Sequence, residues 1–384
     1  MVGQRVTVKI DKLVGGGDGL ARQDDGRVVF VPGVLPGERV VAEVVSAKKD
    51  FAKTRLVEVL DASADRRRAP CPYVAAGCGG CDWQHIAPAA QLRLKAQIVE
   101  EALRRTARLA TPSVGIGAAV DEAGYRTTLR MAADDHGRLG FRGRQSHRVV
   151  VVDRCMVAAE GVNRALAAID QIARGTDEVT IRAGLSSGDV SVTPGAPGTI
   201  TERVAGVDLR VSPGSFFQSG PQAAHLLVDA VRQAAGDLVG TAMIDAYGGI
   251  GLFAATVGGP GSLIVESNAA ATADAHVNVA GRSIAVATTT VEEWKVDRTD
   301  RRWMVADPAR AGLGRDGVAA VVRSEVHHLV LVSCDPVAMA RDTALLVDAG
   351  FVHRHSTVLD LFPNTHHVEV VTRFDRAVAD RPAS

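Results

Sequence analysis

A doubly wound α/β domain, preceded by a small β-barrel and a mainly β central region, is the architecture this sequence predicts. Three observations carry that expectation. The last third of the chain alternates short apolar strands with helical stretches, the pattern of a parallel sheet with crossover helices. The first sixty residues hold short strands separated by turns rich in Gly, Pro and Asp. A Cys-rich stretch and further β pattern lie between the two. With 384 residues the chain exceeds one ordinary core, and about two or three domains are expected.

In chain order, Gln4–Ile10, Arg27–Val31, Arg39–Val45 and Lys53–Leu60 read as strands of a closed barrel over residues 1–62. Arg66–Arg68 and Pro70 read as a linker into a central domain over 63–205. Residues 89–108 lack Gly and Pro, and Leu92, Ala96, Val99 and Leu103 recur at helical spacing. Strand patterns follow at Thr127–Ala133, Arg138–Arg142, Arg148–Val152, Glu178–Arg182, Val190–Val192 and Val207–Val211, with a helix expected at 160–174. The catalytic unit is expected over 206–384. Its strands are Met243–Ala246, Ser262–Glu266, Ile284–Thr288, Trp303–Asp307, Leu329–Ser333, Val352–Leu359 and Val368–Phe374, with helices from Gly251, at 268–280 and at 336–349.

Hydrophobic residues make up 46% of the chain and aromatics 4%, so the cores rest on aliphatic side chains. Formal net charge is zero, but it is divided: residues 1–160 hold 25 Lys and Arg against 19 Asp and Glu, and the rest holds the reverse. Arg138, Arg142, Arg144, Arg148, His136 and His147 cluster without an acidic residue. The front half therefore presents a candidate phosphate-binding surface. No signal peptide and no membrane span are expected, which points to the cytoplasm, where cysteines serve metals or catalysis rather than disulfides.

The candidate ligand crevice lies at the carboxyl ends of the C-terminal strands. Tyr247-Gly248-Gly249-Ile250-Gly251 follows the first strand, where glycines admit a ligand close to the backbone. Glu266 ends the next strand, placed to accept ribose hydroxyls, and Asp307 ends another. No basic or hydroxyl residue follows to hold phosphates, so an adenosyl ligand fits better than a pyrophosphate. Cys334 ends a further strand beside a helix N-terminus, where a thiol has reason to ionise. A thiolate there suits pyrimidine C5 chemistry: addition at C6 makes C5 nucleophilic, and a base, for which Glu369 is the candidate, must then remove the C5 proton. Cys71, Cys78 and Cys81 lie within eleven residues, a spacing that can wrap one metal centre. Zinc and an iron–sulfur cluster both fit, with Cys155 as fourth ligand if Cys334 is catalytic.

Together these residues resemble the 5-methyluridine RNA methyltransferase family, in particular its iron–sulfur-containing rRNA branch, over nearly the whole chain. Leu13–Ala21, Val29–Pro32 and Leu35–Glu38 look like a TRAM domain, an OB-like RNA-binding barrel. The resemblance implies a Rossmann-like catalytic fold that transfers methyl from S-adenosylmethionine to C5 of a uridine in structured RNA, with 23S rRNA favoured over tRNA, through a covalent Cys–C6 adduct. It implies cofactor contacts from Gln218 (in Ser215-Phe216-Phe217-Gln218), Tyr247, Glu266 and Asp307. Ser333-Cys334-Asp335-Pro336 matches the nucleophile motif, and Phe362–Glu369 matches the segment bearing the base. Cys71, Cys78, Cys81 and Cys155 match the ligands of a 4Fe–4S cluster, and helix 89–108 is expected to pack on the catalytic domain. A monomer without membrane attachment is expected. The sequence departs from the family in four places. Six rather than five residues separate Cys71 from Cys78, and the glycine loop lacks a cysteine before its first glycine. Leu252 stands where some members have a cofactor-touching Asn. Asp335 replaces the usual Asn, which sets a negative charge beside the thiol. Two rivals remain: methylation of another RNA atom with Cys334 as bystander, and a non-catalytic RNA-binding or assembly protein.

Overall fold

The computed structural model describes residues 2–144, 146–169, 176–296 and 300–377. Strands β1 (Arg5–Lys9), β2 (Lys12–Leu13), β3 (Gly19–Arg22), β4 (Val28–Val31), β5 (Arg39–Ala47) and β6 (Phe51–Asp61) form one sheet in the order β1-β5-β6-β4-β3-β2. β1 and β2 stand at opposite ends of that order, yet only Ile10 and Asp11 separate them in sequence. One bent strand thus returns the sheet onto itself, which makes a barrel. Its core is aliphatic: Val8, Ile10, Ala21, Val29, Val31, Val40 and Ala42 are buried together. The linker is tied down at once, because the Arg66 guanidinium forks onto the fully buried Glu38 carboxylate at 2.5 and 2.6 Å.

The cysteine stretch holds a single helical turn, α1 (Pro72–Ala75), and leads into α2 (Pro88–Arg105) and strand β7 (Val114–Ala119). β8 (Thr128–Ala133), β9 (Leu139–Arg142), β10 (Val149–Val151), β11 (Glu178–Ala183) and β12 (Val190–Thr193) then build an antiparallel sheet in the order β10-β9-β8-β11-β12. Helix α3 (Glu160–Ala167) packs on β11, burying Val162 and Leu166. The expected helix at 160–174 extends beyond α3, and its residues 170–174 lie outside the described residues. A hairpin of β13 (Ile200–Val204) and β14 (Val207–Val211) turns through Ala205 and Gly206, both at positive φ.

The catalytic unit contains α4 (Pro221–Ala235), β15 (Met243–Ala246), α5 (Leu252–Thr256), β16 (Leu263–Glu266), α6 (Ala269–Asn278), β17 (Ala285–Thr288), β18 (Trp303–Ala306), α7 (Gly314–Arg323), β19 (His328–Ser333), α8 (Pro336–Asp348), β20 (Phe351–Asp360) and β21 (Glu369–Arg376). Its sheet runs β17-β16-β15-β18-β19-β21-β20-β7. The first five strands are parallel, and β21 is antiparallel to both neighbours. β15, β18 and β19 are buried on both faces, as their unbroken apolar runs require. Strand order reverses between β15 and β18, which opens a crevice at their carboxyl ends. Among the described residues, no helix is long and apolar enough to cross a membrane.

The eighth strand is a departure from the sequence reading. β7 precedes the central sheet in the chain, yet pairs in parallel with β20 at the edge of the catalytic sheet. α2 covers the same region: Ala96, Val99 and Leu103 pack with Met339, Val358, Val368 and Val370. Lys95 of α2 is wholly buried, 2.6 Å from Asp360. Burial outweighs pairing on both sides, holding Lys95 below and Asp360 above their ordinary values. The pair adds little net stability, but losing one partner strands the other. Lys95→Met is expected to cost about 3–5 kcal/mol in denaturant unfolding. Adding Asp360→Asn should recover a large part of that loss, and a double variant no more stable than the single one would refute the pairing argument.

Candidate active site

The loop after β15 is shaped by sterics. Tyr247 takes a left-handed φ of 58°, and its hydroxyl donates to Glu292 at 2.6 Å. A Cβ on Gly248 would lie 2.8 Å from the Ile264 side chain and 2.9 Å from the Asp245 carbonyl oxygen, so nothing larger fits. Gly249 N–H donates to Glu266 Oε2 at 3.0 Å, and Asn268 N–H donates to Oε1 at 2.6 Å. Ser267 Oγ also donates to Oε1 at 3.4 Å, so Glu266 fixes the loop while Oε2, with one partner, keeps a lone pair for a ligand. Asp245, behind the loop, accepts from Ala254 N–H at 2.8 Å through one oxygen, and the other is buried without a partner. Burial pushes its carboxyl up to about 8. The folded protein therefore holds a proton that the unfolded chain releases near pH 4, and this group makes stability fall as pH rises from about 4 to 8. Thermal unfolding of Asp245→Asn should show a shallower decline over that window, and an unchanged slope would count against the assignment.

Gln218 is buried at the end of a segment clamped from two sides. Arg182 of β11 donates to the carbonyls of Ser212 and Ser215 at 3.1 and 3.0 Å. Asp274 of α6 accepts from Ser212 N–H at 2.7 Å and from Ser215 Oγ at 2.6 Å. The central sheet and the catalytic unit thereby jointly set the position of Phe216–Gln218.

Cys334 ends β19. Burial pushes its thiol up to about 11, with Glu369 and Asp307 acting in the same direction, while a hydrogen bond and the charge of Arg310 oppose them. Asp335 acts elsewhere: its carboxylate caps α8, accepting from Val337 and Ala338 N–H at 2.9 Å each. The charge expected beside the thiol is thus directed into the helix N-terminus. Asp307 is raised to about 7 by burial, and Glu369, buried at the start of β21, is held well above the usual carboxylate range by burial and by Asp307. Gln218, Tyr247, Glu266, Asp307, Cys334 and Glu369 all line one cavity of about 640 Å³.

Cys71, Cys78, Cys81 and Cys155 line a second cavity of about 340 Å³, walled by Leu129, Phe141 and Val152. Burial raises Cys81 to about 12, with a further upward push from Cys155 and Cys78. Among the described residues, no three His, Cys, Asp or Glu side chains converge closely enough to hold a single metal ion. Arg126, Phe216, Phe217, Gln218 and Phe362 line both cavities, so one layer of side chains separates them.

Residues 1–57 match the TRAM domain family. An uncharacterized RNA methyltransferase of Streptomyces coelicolor is 35% identical, across 98% of this chain and 94% of its own length. Another, of Gloeobacter violaceus, is 32% identical across 98% and 97%. The chain belongs to the TRAM-bearing RNA methyltransferase family. The fold agrees: the structure of a Pyrococcus abyssi tRNA (uracil-54, C5)-methyltransferase bound to S-adenosyl-L-homocysteine superposes with a TM-score of 0.75 at 23% identity, covering 96% of this chain and 99% of that one.

The methyltransferase also places in the 640 Å³ cavity residues to which the sequence reading gave no role. Arg310 and His367 line it, joined through Arg310 Nη2 and His367 Nδ1 at 3.1 Å. Arg310 lies three residues beyond Asp307, a spacing that could have flagged it. The basic cluster is partly committed within the protein. Arg138 pairs with Asp134 at 2.8 Å, Arg144 donates to the Cys81 carbonyl at 3.1 Å, and Arg148 donates to that of Ala76 at 2.7 Å. Two of these arginines clasp the cysteine loop.

Proposed function

We propose that this methyltransferase transfers a methyl group from S-adenosylmethionine to C5 of a uridine in structured RNA, with Cys334 as covalent nucleophile and Glu369 as general base. What carries the reading is the meeting, in one cavity, of a strand-end thiol, a buried carboxyl held well above its ordinary range, and Gln218, Tyr247, Glu266 and Asp307 around the switch-point crevice. S-adenosylmethionine supplies an electrophilic methyl group on a sulfonium. Glu266 suits the ribose hydroxyls, and Gln218, Tyr247 and Asp307 complete the ligand wall. Cys334 Sγ bonds to C6 of the flipped base, and the C5–C6 π pair moves to C5. The electron pair on C5 then bonds to the methyl carbon as the sulfonium S–CH3 bond breaks, its electrons staying on sulfur, and S-adenosylhomocysteine is left. Glu369 removes the C5 proton, the C5–C6 double bond re-forms and the Sγ–C6 bond breaks. Burial serves the last step, because a carboxylate of raised pKa is the stronger base once ionised.

Cys71, Cys78, Cys81 and Cys155 would hold a 4Fe–4S cluster. The reading is supported by the match of the cysteine set to the ligands of the iron–sulfur branch and by the four thiols lining one largely apolar cavity. With all four irons ligated by protein, such a group would serve structure or RNA orientation rather than substrate binding. Anaerobic purification should give brown protein absorbing at the visible–ultraviolet boundary, whereas colourless protein with bound zinc would overturn the cluster reading. For the RNA, 23S rRNA follows from the resemblance of the cysteine set, and tRNA is the second reading, favoured by the tRNA-modifying structural neighbour. Mapping 5-methyluridine in ribosomal and transfer RNA from cells with and without the gene tests both. Loss from one 23S site supports the first, loss from tRNA the second, and loss of a different nucleoside overturns the C5 reading.

A further inference from the structure

The cysteine loop and the segment carrying the base meet at one point. Asp82 directly follows Cys81, and its carboxylate accepts twice from His366: the backbone N–H donates to Oδ1 at 3.1 Å and ring Nδ1 to Oδ2 at 2.7 Å. The next residue, Trp83, is buried and donates its backbone N–H to the Asn364 carbonyl at 2.9 Å. The barrel closes the same spot. Gly17 accepts from Trp83 Nε1 at 3.3 Å, and a Cβ on Gly17 would lie 2.6 Å from His366 Cβ. Three segments remote in sequence therefore hold residues 364–366 in one arrangement. The His366 and His367 rings lie 4.3 Å apart, inclined at 47°. His367 faces the cavity and accepts from Arg310 at 3.1 Å, and the Arg310 guanidinium lines that cavity with Cys334, where its positive charge opposes the upward push on the thiol.

We propose that Asp82 and His366 are positioning residues for the nucleophile: by fixing His367 they hold Arg310 against Cys334, so the cysteine loop governs the reactivity of a thiol in the other cavity. The inference deepens the reading of Cys334 as nucleophile and rests on it. Its physical basis is that Arg310 is the cation set against two acidic neighbours of the thiol, Glu369 from β21 and Asp307 beyond β18, while Asp335 is engaged in capping α8. A guanidinium that swings away leaves burial, Glu369 and Asp307 disfavouring the thiolate without that cation to oppose them.

The test is the rate of Cys334 alkylation by iodoacetamide in the full-length protein without RNA, followed across pH by peptide mass spectrometry. Asp82→Ala and Arg310→Gln should each slow alkylation at pH 8 about tenfold and move the inflection upward by about one unit. Asp82→Asn, which keeps an acceptor for the His366 N–H, should stay within about threefold of wild type. His366→Leu keeps the backbone bond and loses the ring, and it replaces Asp82→Ala should that variant fail to fold. Wild-type alkylation in Asp82→Ala or His366→Leu overturns the proposal, as does wild-type alkylation in Arg310→Gln. Because the readout needs no RNA, its failure is separate from failure of the C5 mechanism, which methylation by a Cys334→Ala protein would expose.

Discussion

Cys334→Ala is expected to reduce methyl transfer to background on a uridine-containing RNA while leaving S-adenosylmethionine binding intact. The expectation follows from the chemistry of the target carbon. C5 of an aromatic uracil is too weak a nucleophile to take a methyl group, and no other described residue of the cavity offers a thiol. The proposed cofactor contacts come from other elements: Glu266 on β16, Gln218 on the clamped segment and Asp307 beyond β18. Removing one sulfur therefore deletes the chemical step and spares the binding surface. Isothermal titration with the cofactor, beside nucleoside mass spectrometry of the RNA, separates the two. Full activity of the variant would sink the covalent mechanism.

Glu369→Gln is expected to leave addition and methyl transfer possible and to block elimination. General bases contribute on the order of 10²–10⁴ in rate, and here the loss falls on one step, so the protein–RNA adduct accumulates. A denaturing gel should show a shifted, RNA-bearing band that is absent from a Cys334→Ala/Glu369→Gln double variant. A Glu369→Gln enzyme that turns over freely removes Glu369 from the role. The buried amide replaces a carboxyl that burial already disposes to hold a proton, so the fold should tolerate the exchange.

The sequence was informative where chemistry sits at strand ends. Glu266, Asp307 and Cys334 each close an apolar run, and a doubly wound sheet must bring such ends to one rim. The barrel was legible for a similar reason, because short strands between glycine turns have few ways to bury one face. Contacts made across the chain were not legible. Nothing in the spacing of Asp82 and His366 says that 284 positions apart they share two hydrogen bonds. Arg144 and Arg148 read as free cations, since a run of basic residues does not reveal which carbonyls its guanidinium groups meet. Asp335 read as a charge on the thiol because sequence gives adjacency and not direction; the side chain instead turns along α8. β7 was missed because its residues, Val114–Ala119, are mostly Gly and Ala, with the weak β pattern expected of an edge strand.

The seat of α2 has a consequence for how the protein is made. Its apolar face is complete once Arg105 has been synthesised, but its partners Val358 and Val370 lie about 250 residues further on. At elongation rates of ~5–20 residues per second, Val99 and Leu103 wait roughly 10–50 s on the ribosome without their native neighbours. The N-terminal barrel can close meanwhile, since all its strands precede α2. A nascent chain stalled before β20 would therefore carry a finished barrel with Ala90, Leu94 and Ile98 of α2 set against it and the Val99 and Leu103 face uncovered, a surface that chaperones bind.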